Sequence, residues 1–269
     1  VPSRDKFNER VNRLLRAGRD LPEETIRGMI RDLEAARREV LGRLATLPVK
    51  QDGTASFTRF QLESAQREMD RMLGELNLRF ARQVADGQRL GWQLGQEVVD
   101  EPFGRAGIGF TFGRLDPDTL AAAQELAALR ITNIAAETRG RIAVALRRSL
   151  AGGKPFHETI QEIAGALGGE EGGKVSLWSQ AGDRAFRIAA TEIPTIQSVA
   201  STSRINQMAD RLGKDSVQKR WSHHPVARVP RVGHVLLGKS KPIPVDEAFV
   251  NPETKISLMY PHDPAAPAS

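Results

Sequence analysis

Four of the five histidines in this chain, His223, His224, His234 and His262, lie within its last fifty residues, and Asp263 stands directly beside one of them. Imidazole nitrogens and carboxylate oxygens bind zinc and build nuclease-type centres that activate water. The spacing argues against that use here: no pair matches a known ligand motif, and adjacent histidines on a strand point to opposite faces. No metal ion and no other cofactor is expected. Arg231 and His234 could together hold a phosphate or carboxylate, one through a planar fork of donors and the other through a switchable charge. On a strand their separation sends them to opposite faces, and only a turn at Gly233 would let them converge. The reading we favour makes them a polar tie across irregular strands, with Glu192 of the preceding helix as partner acid. A small module with little apolar area relies on such ties. As a general base, Glu192 lacks a companion acid. Trp221 could stack on a nucleic-acid base, although a single tryptophan in such a segment is more often the core of a small sheet. The chain carries no phosphate-cradling glycine loop, no Ser-His-Asp spacing and no paired carboxylates, so no catalytic residue is expected.

The elements that must position these residues read as helices over about the first 210 positions. Ser3 caps a helix to about Arg16, and Asp20-Leu21-Pro22-Glu23-Glu24 starts a second one running to Pro48, with Ile26, Ile30, Leu33, Val40, Leu41 and Leu44 at helical spacing. A third helix runs from about Ser56 to Asp86, striped by Met69, Met72, Leu73, Leu76 and Phe80, and its pattern continues to about Val99. Pro102, Gly104, Gly107, Gly109 and Gly113 mark a loop threaded by phenylalanines, which implies that it packs down on something. Asp116-Pro117-Asp118 opens the strongest helix, striped by Leu120, Ala123, Ala127 and Ile131 and running to Leu150. A shorter helix is expected over 155–167, and another over 183–212, where Pro194 should kink or restart it.

Beyond Gly213 the pattern changes. The runs 217–221, 231–237 and 255–259 are short, β-branched or aromatic, and separated by proline and glycine, which predicts a small antiparallel sheet. The fold class is therefore α+β: long helices followed by a small β-containing module, in consecutive regions 1–115, 116–180 and 181–269. Charge is uneven as well. Lys214, Lys219, Arg220, Arg228, Arg231, Lys239 and Lys241 face one acid, Asp215, so this segment accounts for the whole formal charge of +6. Such a patch suits a polyanion or an acidic protein surface, or is simply a solvated basic face. The absence of cysteine excludes disulfides and thiolate chemistry and suits folding in a reducing cytoplasm. No apolar stretch is long enough to span a bilayer, and the polar start at Val1 lacks a signal-peptide core. Valine in place of a start methionine implies processing or an internal start.

Several C-terminal landmarks stand in a recognisable order: Arg187-Ile188-Ala189-Ala190-Thr191-Glu192, Trp221, Arg231-Val232-Gly233-His234, Leu237-Gly238, then Pro244, Asp246 and Phe249, and finally Met259-Tyr260-Pro261-His262-Asp263-Pro264. The last hundred residues resemble the Mu F-like, or SPP1 minor-head-like, family of phage head morphogenesis proteins. The chain departs from that pattern in having no acid in Pro225-Val226-Ala227-Arg228, no cysteine-containing segment after Pro264, and His262 where the family has glycine. The resemblance adds Trp221 and Asp263 to the structural tie of Glu192, Arg231 and His234. It implies a non-enzymatic minor capsid protein of the virion, made in the host cytoplasm. It would be present in several copies near the portal and act in head assembly. Its partners would be portal and other capsid proteins, and possible contact with packaged DNA would use the basic segment. The competing readings are a metal-dependent nucleic-acid-processing enzyme using the C-terminal histidines and a simple DNA-binding protein.

Overall fold

The computed structural model describes residues 4–45, 59–105, 111–151, 177–221 and 232–261. The fold is α+β: long helices dominate, and a small antiparallel module follows them. Helices α1 (Arg4–Ala45), α2 (Arg59–Arg105), α3 (Pro117–Ala151) and α4 (Leu177–Leu212) lead into a single 3-10 turn, Lys214–Ser216. The module then contains β1 (Gln218–Lys219), α5 (Val232–Lys239), β2 (Ile243–Pro244), β3 (Phe249–Val250) and β4 (Ser257–Leu258).

Two expected helices are one. α1 continues through Pro22, although the missing N–H leaves the Gly18 carbonyl without its helical donor. Leu14 and Leu21 are buried before the proline, and Met29, Leu33, Ala36 and Val40 after it. Burial of an apolar stripe on both sides outweighs an interruption that costs about 3 kcal/mol. α2 likewise runs past Val99 and through Pro102 to Arg105, where a loop was expected. α4 passes through Pro194 without restarting and begins before Asp183. α3 starts where the sequence indicates, with Asp116 Oδ1 accepting from the Asp118 N–H at 3.0 Å. The helix expected over 155–167 lies outside the described residues.

The chain forms two compact units, each assembled from separated segments. One unit comprises Glu23–Asp86 and Gln124–Ala190. Its core holds Met29, Leu33, Met72, Leu76, Phe80, Val84, Ile131 and Ala189, all buried. Amide side chains tie its helices together: Gln83 Nε2 donates to Asp32 Oδ2 at 2.6 Å, and Gln124 Nε2 to the Ala85 carbonyl at 2.9 Å.

The other unit comprises Val1–Pro22, Gly87–Ala123 and Thr191–Ser269. Here α2 presents Gly91 and Gly95 to α4. A Cβ on Gly91 would lie 3.1 Å from the Ile193 carbonyl oxygen, and one on Gly95 would overlap the Gln197 carbonyl oxygen. Two glycines one turn apart thus let the helix backbones approach almost to contact. Gly18 of α1 meets the side chain of the same Gln197. This helical frame carries the C-terminal module.

The strand expectation needs two corrections. In place of one sheet, the described residues form two two-stranded antiparallel ladders, β1 with β2 (Gln218 opposite Pro244, Lys219 opposite Ile243) and β3 with β4 (Phe249 opposite Leu258, Val250 opposite Ser257). The run expected as a strand around Gly233-His234-Val235-Leu236-Leu237 is helix α5. Gly233 and Leu237, one turn apart, are its buried face, so the tertiary site demands a period of about four rather than two.

Candidate partner-binding module

Two small apolar clusters hold the module. Val217 and Val245 pack with Met208 and Ala209 of α4, and Phe103, Phe112 and Ile205 close over them. The phenylalanines flanking the glycine-rich segment therefore do pack down, as expected; residues 106–110 between them lie outside the described chain. Trp221, Leu237, Phe249 and Leu258 form the second cluster. Trp221 is only 4% exposed. Its indole meets His234 and Phe249 edge to face, each at a centroid distance of 5.3 Å. A ring enclosed in this way is core, with no open face for a base to stack on.

The connection between β3 and β4 is organised by Asn251, which is buried. Its Oδ1 accepts from the N–H groups of Glu253 (2.9 Å) and Thr254 (3.3 Å), and its own N–H donates to the Ile256 carbonyl at 2.9 Å. Lys255 takes the left-handed backbone conformation, at φ 61°, that closes the turn. Gly233 packs against the Asn251 amide so closely that a Cβ there would overlap it. The Gly233 N–H, at the first turn of α5, donates to Glu253 Oε2 at 3.1 Å. The Asn251 turn and the start of α5 hold each other in place.

The expected site residues fare differently. Trp221 and His234 are brought together, but on a helix-to-loop contact rather than across strands. Glu192 is buried on α4, 8% exposed. Arg231 and Asp263 lie outside the described residues, as do Arg228, His223, His224 and His262. Among the described residues no three His, Cys, Asp or Glu side chains converge as metal ligands. Two lysines of the basic segment have partners within the fold. Lys219 Nζ donates to the Met259 carbonyl at 3.0 Å and sits 5.3 Å from the centre of the Phe249 ring, so this lysine is a strut of the module. Lys214 approaches Asp246 at 4.0 Å, an acid beyond the end of the basic segment. Lys214, Arg220, Lys239 and Lys241 are the exposed described members of the patch.

The most constrained charge in this unit was not anticipated. Arg204 of α4 is 7% exposed. It donates to the Gly113 carbonyl (2.5 Å), to Gln96 Oε1 (2.9 Å) and to Gln207 Oε1 (3.0 Å), and pairs with Asp100 at 3.2 Å. The guanidinium also stands 5.1 Å from the centre of the Phe112 ring. One side chain thereby joins α2, α4 and the segment before α3. Burial pushes the Asp100 carboxyl above the usual aspartate range, ahead of the opposing pull of Arg204, and Glu97 adds to the rise. A signal existed in the sequence: Ile193, Ile196, Ala200, Arg204 and Met208 share one helical stripe, and Arg204 is the charge inside it.

No helix among the described residues is long and apolar enough to cross a membrane. Compared with family models, curated proteins and solved structures, the chain matches none of them.

Proposed function

We propose that this chain is a phage minor head protein, a non-enzymatic component of the virion that works near the portal during head assembly. The observation that carries the reading is the ring cluster of the C-terminal module. Trp221, His234 and Phe249, three of the ordered landmarks behind the family resemblance, share one set of contacts. Residues used in this way hold a scaffold together, as a docking module requires, and leave His234 engaged in packing rather than presented for chemistry. The long helices dock on portal or capsid subunits. Lys214, Arg220, Lys239 and Lys241, the exposed members of the basic segment among the described residues, face DNA or an acidic portal surface.

The test is the composition of particles assembled in the presence of the chain. Mass spectrometry of purified procapsids and heads should find it at a few copies per particle. Electron microscopy with a label on the module should place it at the portal vertex. Absence of the chain from both particle types would end the proposal.

A further inference from the structure

We draw no further inference here: the strongest candidate, the exposed face of α5 in the C-terminal module that carries Val232 and Leu236 one turn apart, is too small to define an occupant, and nothing in the structure shows what covers it.

Discussion

Replacing Gly95 by alanine should destabilise the protein, although the same change at an open helical site does the reverse. A Cβ at Gly95 would overlap the Gln197 carbonyl oxygen and lie 2.8 Å from Ala200 Cβ, so α2 and α4 would have to separate. Two effects oppose each other. Alanine is favoured over glycine inside a helix by about 1 kcal/mol. Forcing a methyl group into a packed contact costs about 1–3 kcal/mol, and the upper part of that range applies because a backbone carbonyl cannot rotate aside as a side chain can. The net expectation is a loss of about 1–2 kcal/mol. Gly74, also in α2, is the control: a Cβ there meets nothing within 4 Å. Only the first effect remains, and Gly74→Ala should stabilise by about 0.5–1 kcal/mol. Urea unfolding reads both, as midpoint shifts of opposite sign at an unchanged dependence on denaturant. If Gly95→Ala matched or exceeded the parent protein, the backbone contact between α2 and α4 could not be as close as described.

Three further outcomes follow from the charged residues. Arg204→Ala strands the Gly113 carbonyl, Gln96 and Asp100 and should cost about 3–5 kcal/mol; Arg204→Lys should restore little, since one ammonium cannot span partners that a fork reaches, and full recovery of the urea midpoint by lysine would contradict this. Because burial raises the Asp100 carboxyl above the usual aspartate range, the folded protein keeps a proton that the unfolded chain has already released. Its contribution therefore weakens stability as pH rises through the interval between the ordinary and the raised pKa, and the loss is recovered as pH falls. Asp100→Asn abolishes this component, and a difference from the parent protein that stays flat across mildly acidic pH would refute it. Lys219→Ala should destabilise the module by about 1–2 kcal/mol through the lost Met259 bond and ring contact, whereas exposed Lys241→Ala should stay within about 0.5 kcal/mol in thermal melts; equal effects would return Lys219 to the surface patch.

The existence of the long helices, and much of each buried stripe, could be read directly from the chain. Met69, Met72, Leu73, Leu76 and Phe80 repeat at a spacing that only a helix turns to one side, and all five are buried. That information is local, because residues three and four apart meet whatever else the chain does. Helix ends were harder to read. Pro22, Pro102 and Pro194 are local stop signals, but each lies inside a helix, because apolar contacts made far along the chain outweigh one lost hydrogen bond.

The module shows the opposite balance. Its location after Gly213 and its tryptophan core were legible, since apolar and turn-forming residues alternate there over short distances. Its interior was not. Gly233 to Leu237 is β-branched and aliphatic enough for a strand, yet it is helical because Asn251, Glu253 and the Trp221 ring offer a helical segment its contacts. Charge was equally opaque: counted along the chain, Lys219 belongs to a basic patch and Arg204 to an ordinary helix. Periodicity and capping chemistry operate over a turn or two and are written in consecutive residues. Whether a proline is tolerated, a lysine turned inward or an arginine buried depends on which distant groups arrive beside it, and only the folded chain brings those groups together.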